Sequence, residues 1–221
     1  MEVIRLTETN RKDLAARAAE VLRAGGVVLY PTDTLYGLGA DALSDEAVAK
    51  VKRIKGRDEG KPIHAIVSDL DMAQQYGELT DDTRMLANRL PQGQVTYIVS
   101  AKGGSASGGK KLVGPNTGIL RGIATFGFRI PDNEFCISLL REFGKPITAT
   151  SANTSGEQPE RSVEKILAQL GPAAEDIDLV VDAGELPERL PSTVVDLSGA
   201  EPVVVREGAI PSADIWNVLH S

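Results

Sequence analysis

Residues 11–42, RKDLAARAAEVLRAGGVVLYPTDTLYGLGADA, decide the fold class, because a helical pattern in this stretch runs directly into a buried strand. Leu14, Ala18 and Leu22 recur at the spacing of one helix face, and two glycines end the pattern. The apolar run 27–30 then predicts a strand, which a proline closes. A helix that feeds a buried strand is typical of α/β folds.

The alternation of helical and strand patterns continues through most of the chain. Residues 45–55 predict a second helix, with Ser44 as N-cap and Gly56 as C-cap, and the Gly/Ser-rich stretch 102–111 predicts a mobile loop. Three strand patterns follow one another towards the C-terminus, at 177–184, 192–198 and 202–208. We therefore expect an α/β fold, a single domain over residues 1–221 whose twisted, mixed open sheet is flanked by helices.

Composition narrows the classes of function. The 221 residues carry a net charge of −7, which argues against nucleic-acid or membrane binding driven by overall charge. A single cysteine, Cys136, rules out an internal disulfide bond and a multi-cysteine metal site. The sequence predicts neither a signal peptide nor a membrane span, and we expect a cytoplasmic protein without a membrane partner.

The decapeptide RIKGRDEGKP, residues 53–62, concentrates positive charge in this acidic chain. Lys55 and Arg57 fall where the helix pattern ends, and Lys61 follows in a turn with two glycines and a proline. Cations at a helix C-terminus complement its dipole, so a solvated helix end explains each of them singly. Together they suit a polyphosphate, because guanidinium and ammonium groups bind phosphate oxygens. The spacing is not that of a P-loop.

Polar side chains also follow several predicted strands. Residues 32–39, TDTLYGLG, place hydroxyls, a carboxylate and two glycines in a polar turn after the first buried strand, and Ser151 and Asn153 alternate after another. Ser192 and Arg206 lie at a strand start and a strand end. Ligands in open α/β sheets bind outside the carboxyl ends of strands, although such turns also form for purely structural reasons.

The sequence lacks the residues that several classes of enzyme need for catalysis. His64 and His220 are the only histidines, and no metalloprotease, serine-hydrolase or dinucleotide-binding motif occurs. We interpret His64 as an ordinary strand residue, and Cys136 as part of a helix core. A Ser-His-Asp hydrolase and a catalytic zinc site are therefore disfavoured.

Taken together, these segments resemble the YrdC-like family, the threonylcarbamoyl-AMP synthases. The resemblance rests on PTDTLYGLGADA, the pairing of Lys55-Gly56-Arg57 with Ser151-Ala152-Asn153, FRIP, and PSTVVDLS followed by VVVREGAI, in this order. It covers residues 10 to 210 approximately and points to the short, single-domain form. The segments PQGQVT (91–96) and Glu207-Gly208 depart from the family pattern.

The resemblance implies a nucleotidyltransferase that joins L-threonine, bicarbonate and ATP into L-threonylcarbamoyladenylate and releases pyrophosphate. The product would serve threonylcarbamoyl modification of tRNA adenosine by downstream tRNA-modification proteins, and Mg²⁺ would arrive on the ATP phosphates. The implied catalytic residues are Lys55 and Arg57. The implied ATP contacts are Arg57, Lys61, Thr125, Asn153, Arg161 and Arg206. The implied L-threonine contacts are Thr34, Arg129, Ser151 and Ser192.

The implied chemistry works by positioning and charge stabilisation, since a carbamate needs no deprotonation to attack phosphorus. Formation of the carbamate does require a neutral threonine amine, and the sequence identifies no group that takes its proton. Two alternatives stay open. One is an RNA-binding superfamily member without synthase activity, whose cationic concavity would contact tRNA or double-stranded RNA. The other is a domain that handles a carbamoyl-adenylate made from another substrate.

Overall fold

A computed structural model of the protein describes residues 1–57, 62–102 and 117–221. The stretch predicted as a mobile loop, 102–111, lies outside the described residues except for its first residue, and so does Lys61.

Helices and strands alternate along the chain as predicted. The α-helices are α1 (Arg11–Arg23), α2 (Asp45–Lys55), α3 (Leu70–Gln74), α4 (Asp81–Arg89), α5 (Glu134–Phe143), α6 (Val163–Leu170) and α7 (Ser212–Leu219). The strands are β1 (Glu2–Arg5), β2 (Val28–Pro31), β3 (Tyr36–Gly39), β4 (His64–Ile66), β5 (Val95–Ser100), β6 (Thr125–Arg129), β7 (Ile147–Ala149), β8 (Leu179–Asp182), β9 (Thr193–Asp196) and β10 (Val203–Arg206). Short 3₁₀ helices span Gly118–Leu120 and Gly171–Asp176.

Helix α2 begins and ends at the predicted residues. The Ser44 hydroxyl accepts a hydrogen bond from the Ala47 amide at 3.3 Å, which satisfies one of the unpaired donors of the first turn. Gly56 takes the left-handed conformation, with φ of 56°, and ends the helix. Both predicted caps are confirmed, and they fix where Lys55 and Arg57 leave the helix.

The strands form two mixed sheets rather than the single sheet that the pattern suggested. A four-stranded sheet has the order β1-β8-β2-β3, and a six-stranded sheet has the order β10-β9-β5-β6-β4-β7. The α/β class, the mixed pairing and the flanking helices are confirmed. The sequence did not predict β1 or β3, and the interpretation of residues 32–39 as one polar turn is wrong for its second half, which pairs antiparallel with β2.

The two sheets meet along β3 and β7. The Leu38 amide donates to the Thr150 carbonyl at 3.0 Å, and the Ala152 amide donates to the Tyr36 carbonyl at 2.8 Å. The buried Thr148 hydroxyl closes the seam between the sheets, because it donates to the Leu38 carbonyl and accepts from the amide of residue 40. The polar turn after β2 and the polar turn after β7 are therefore neighbours.

The core is continuous across this seam. Helices α1 and α5 pack against each other, and their buried side chains include the small Ala15 and Ala18 on α1 and the larger Phe135 and Leu139 on α5. In the six-stranded sheet, the rings of Phe126 and Phe128 stack with centroids 5.6 Å apart. No helix in the described ranges is long and apolar enough to cross a lipid bilayer.

Candidate active site

A cavity of about 360 Å³ lies at the seam between the two sheets. Its volume falls in the range of small-molecule sites. The predicted site residues that line it are Thr34, Arg57, Arg129, Ser151, Ser192 and Arg206. They come from segments far apart in the sequence, and the fold brings them together around one space.

Arg57 enters the cavity directly after the end of α2. One terminal nitrogen, Nη2, donates to the Pro62 carbonyl at 2.9 Å. Its Nε atom is buried and has no hydrogen-bond partner among the described residues. Burial lowers the pKa of this guanidinium, although arginine stays charged at any ordinary pH. Among the described residues Arg57 thus has a buried donor without a partner, which is rare in folded proteins and is consistent with a ligand or water at this position.

Arg206 lies at the end of β10, which is one edge strand of the six-stranded sheet; β7 is the other edge strand. Its Nη2 donates to the Ser192 carbonyl at 2.8 Å, and the Ser192 hydroxyl is 2.8 Å from the Thr96 hydroxyl. Gly208 makes this arrangement possible, since a Cβ there would collide with the Pro191 carbonyl oxygen. Glu207, the residue of this pair that departs from the family pattern, accepts hydrogen bonds from the amide and the hydroxyl of Ser212 at the start of α7.

Arg129 forms a buried ion pair at the other end of the cavity lining. Its Nη1 donates to both carboxylate oxygens of Asp33, at 2.8 and 2.7 Å, and to the Gly93 carbonyl at 3.0 Å. Gly93 has a φ of 81°, and a Cβ there would collide with the Asp33 carboxylate. Gly93 therefore leaves the space that the Asp33–Arg129 pair occupies.

Two hydroxyls face the cavity from the turns that the seam joins. Thr34 follows β2, and its hydroxyl is 3.1 Å from that of Thr32. Ser151 follows β7, and its hydroxyl donates to the Asn153 side-chain oxygen. Both turns are fixed by hydrogen bonds within the protein, so their hydroxyls are held in place before any ligand binds.

Lys55 and Asn153 lie behind the cavity wall. The Lys55 ammonium donates to the carbonyls of Ser151 and Asn153 and to the Asn153 side-chain oxygen, and Lys55 is only 2% exposed. Burial, followed by the neighbouring charge of Arg57, lowers the Lys55 pKa to about 8. The structure therefore places Lys55 as a support of the Ser151–Asn153 turn, and not on the cavity surface where the expected contact with pyrophosphate would require it.

Two further predicted residues, Thr125 and Arg161, do not line the cavity. Thr125 borders a smaller space of about 50 Å³, which shares Pro62 and His64 with the main cavity. Arg161 lies 3.8 Å from the carboxylates of Glu185 and Glu188. Lys61 lies outside the described residues, and its phosphate contact stays a prediction.

Sequence reasoning missed three residues of the cavity region. Asp33 was noted in the polar turn, without its role as the partner of Arg129. Thr96 belongs to a strand pattern with nothing to mark its hydroxyl, and His64 was interpreted as an ordinary strand residue. His64 is half-buried and lines the cavity. Burial, then the charges of Arg206 and Arg57, lower its pKa, which favours the neutral imidazole.

The electrostatics of the cavity define the class of ligand. Three arginines line it, and no Asp or Glu does so within the described residues. Those residues also contain no cluster of three or more His, Cys, Asp or Glu side chains that could hold a metal ion. This is an α/β protein with an arginine-lined, hydroxyl-bearing cavity at a sheet seam, and such a lining suits an anionic ligand.

Sequence comparison identifies the family. The family model Sua5_yciO_yrdC, described as "Telomere recombination", matches residues 20–208, and the chain belongs to this family. The threonylcarbamoyl-AMP synthase of Pyrococcus abyssi is 32% identical over 207 residues, which cover 91% of this chain and 56% of that protein. The Mus musculus protein of the same name is 38% identical over 191 residues, covering 84% and 62%.

Structural comparison gives the same family. Sua5 of P. abyssi complexed with L-threonine matches with a TM-score of 0.85 at 28% identity, over 99% of this chain and 61% of that chain. E. coli YciO matches with a TM-score of 0.73, also at 28% identity, over 95% of this chain and 96% of that chain. The chain therefore spans somewhat more than half the length of these synthase relatives, and nearly the whole length of YciO.

Proposed function

We propose that this chain forms L-threonylcarbamoyladenylate from L-threonine, bicarbonate and ATP, with release of pyrophosphate. The observation that carries the proposal is the convergence of Arg57, Arg206, Arg129, Thr34 and Ser151 on one cavity. The names of the synthase relatives, and the L-threonine complex of P. abyssi Sua5, support the choice of substrates.

The triphosphate is assigned to the end of the cavity that carries Arg57 and Arg206. Neither guanidinium has a carboxylate partner among the described residues, and each is anchored by a main-chain carbonyl. Their positive charge is therefore available to a ligand, and guanidinium groups bind phosphate oxygens in a forked geometry. Lys61 would add a further cation to the same end.

L-Threonine is assigned to the end that carries Thr34, Ser151 and the Asp33–Arg129 pair. A free amino acid has a carboxylate and other polar groups, and this part of the lining offers a guanidinium, whose charge Asp33 partly offsets, beside two hydroxyls. Arg129 would meet the carboxylate of the substrate, and the two hydroxyls would accept and donate hydrogen bonds with its polar groups.

The chemistry follows from this placement. An oxygen of the threonine carbamate attacks the α-phosphorus of ATP, the bond from that phosphorus to the bridging oxygen breaks, and pyrophosphate leaves with the electron pair. Arg57 and Arg206 stabilise the charge that develops on the leaving group. Lys55 contributes by holding the Ser151–Asn153 turn. Since the described cavity lining has no carboxylate ligands for a metal, Mg²⁺ would be bound by the phosphates of ATP.

The proposal is tested by measuring pyrophosphate release with a panel of amino acids, with and without bicarbonate. We expect release that requires ATP, L-threonine and bicarbonate together. The variant Arg57→Ala should lose about 100-fold or more of the rate, the usual effect of removing a donor that stabilises a transition state. Arg53→Ala, on the exposed face of the same helix, is the matched control and should keep full activity.

Ligand binding gives a second, independent measurement. ATP and L-threonine should each raise the melting temperature, because each binds the folded state only. The absence of any shift with either ligand, together with a shift on adding tRNA or double-stranded RNA, would overturn the proposal in favour of an RNA-binding protein. The adenylate product would pass to tRNA-modification proteins, the partners that this activity implies.

A further inference from the structure

His64, the first residue of β4, lines the cavity, and its neighbours in the sheet leave space for its ring. In the sheet it lies between Gly127 of β6 and Ala149 of β7, the two smallest kinds of neighbour a strand can offer. A Cβ on Gly127 would collide with the imidazole ring, so the ring lies directly over that glycine. The small neighbours on both sides leave space for the His64 ring, and the imidazole lines the cavity.

The imidazole is the one group on the described cavity surface that can accept a proton near neutral pH. The charged groups around it are Arg57 beyond α2, Arg129 on β6 and Arg206 on β10, and the hydroxyl of Thr96 on β5 lines the same cavity. Arginine holds its proton at any ordinary pH. Burial raises the pKa of Tyr30 and raises that of Tyr36 to about 12, so neither phenol ionises. The Lys55 ammonium does not line the cavity, because it donates to three oxygens of the Ser151–Asn153 turn.

We propose that His64 is the proton acceptor for the ammonium group of L-threonine, a role that rests on the proposed synthase function. The imidazole takes one proton and leaves the neutral amine. The amine nitrogen then forms a bond to the carbon of bicarbonate, and a hydroxyl of bicarbonate leaves with the second amine proton as water. The product is the carbamate anion, and the imidazolium returns its proton to solvent. No oxidant, metal or further reactant is needed.

The surrounding arginines couple this role to ATP. Burial, followed by the charges of Arg206 and Arg57, lowers the pKa of His64 in the free protein, which favours the unprotonated imidazole. A bound triphosphate would offset the charges of Arg206 and Arg57 and so raise the basicity of the imidazole. His64 should therefore become a stronger base when ATP is in place, which favours carbamate formation only when the next substrate is already bound.

The test is the pH dependence of pyrophosphate release by the variant His64→Gln, from about pH 6.5 to about pH 9.5. Near pH 7 the variant should lose about 100-fold in rate, the low end of the contribution of a general base. Towards pH 9.5, where free threonine supplies its own neutral amine, the difference should largely disappear. His220→Gln is the matched control, since His220 is exposed at the C-terminus and should leave the profile unchanged.

Two results would overturn the inference while the proposed function stands. One is an equal loss at every pH, which indicates a structural role, and the other is no loss at all. In contrast, a wild-type protein that releases no pyrophosphate with threonine, bicarbonate and ATP would overturn the synthase proposal and this inference with it. Added imidazole should restore activity to His64→Ala near pH 7, whereas a variant that had merely lost its packing would not respond.

Discussion

The buried ion pair between Asp33 and Arg129 gives a sharp prediction about stability. The two side chains are 5% and 9% exposed, and one guanidinium nitrogen donates to both carboxylate oxygens at 2.8 and 2.7 Å. The variant Asp33→Asn keeps the size of the side chain but removes its charge. It therefore leaves the largely buried Arg129 cation without its counter-charge.

The magnitude follows from the cost of breaking such a pair. Removing one partner of a buried ion pair typically destabilises a protein by about 3–5 kcal/mol, because the remaining charge is buried and uncompensated. The asparagine oxygen can still accept one hydrogen bond, and the Gly93 carbonyl still accepts another at 3.0 Å. We therefore expect a loss near the lower end, about 3 kcal/mol in the free energy of unfolding.

Urea unfolding followed by circular dichroism measures this loss, with exposed Asp176→Asn as the control, expected within about 0.5 kcal/mol of wild type. The double variant Asp33→Asn/Arg129→Met removes the stranded charge as well. Its loss should be smaller than the sum of the two single losses by about 1–3 kcal/mol. A single loss below about 1 kcal/mol, or strictly additive losses, would refute the reasoning that the carboxylate compensates a buried cation.

Two further predictions concern the supports of the cavity. Gly208→Ala should collide with the Pro191 carbonyl, displace the Ser192–Arg206 contact and reduce the melting-temperature shift with ATP, and an unchanged shift would contradict this. The pKa of Lys55 should be about 8 in the folded protein and about 10.5 in the unfolded chain. Between these two pH values the unfolded chain binds more protons than the folded one, so the free energy of unfolding of wild type relative to Lys55→Met should rise with pH, by up to about 3 kcal/mol. Urea unfolding at several pH values measures this difference. If the unfolding free energies of the two proteins changed with pH in the same way, the pKa of Lys55 would not be depressed.

The sequence predicted most elements because local signals and tertiary structure agree in them. Helix α2 is an example, since its apolar spacing and the caps Ser44 and Gly56 all indicate the same boundaries. Strand β3 escaped prediction because its sequence, YGLG, has two glycines that suggest a turn. The structure gives the reason: a Cβ at Gly39 would lie 2.7 Å from the Tyr30 ring, so packing requires glycine there. Pairing with β2 and with the segment after β7 imposes the strand.

The sequence predicted many of the residues of the candidate site, but it did not predict which of them face the cavity and which lie behind its wall. Strand ends and a cation-rich turn pointed to Arg57, Ser151 and Arg206, and all three line the cavity. No local pattern could show that Lys55 turns inward to the Ser151–Asn153 turn. The position of His64 depends on the small size of its neighbours in adjacent strands, and strand neighbours are set by the sheet order, which a single sequence does not contain.

The three cavity arginines share one form of anchorage and differ in one respect that orients the substrates. Each donates to a main-chain carbonyl: Arg57 to Pro62, Arg129 to Gly93 and Arg206 to Ser192. A carbonyl fixes the direction of a guanidinium without cancelling its charge. Only Arg129, among these three within the described residues, also has a carboxylate, Asp33. The cavity therefore has a strongly cationic end, which favours a polyanion, and a neutralised end, which favours a zwitterion. Under the proposed function, a ligand bound in the reverse direction would place its triphosphate beside the neutralised Arg129 and away from Arg57 and Arg206, so the charge distribution favours one orientation.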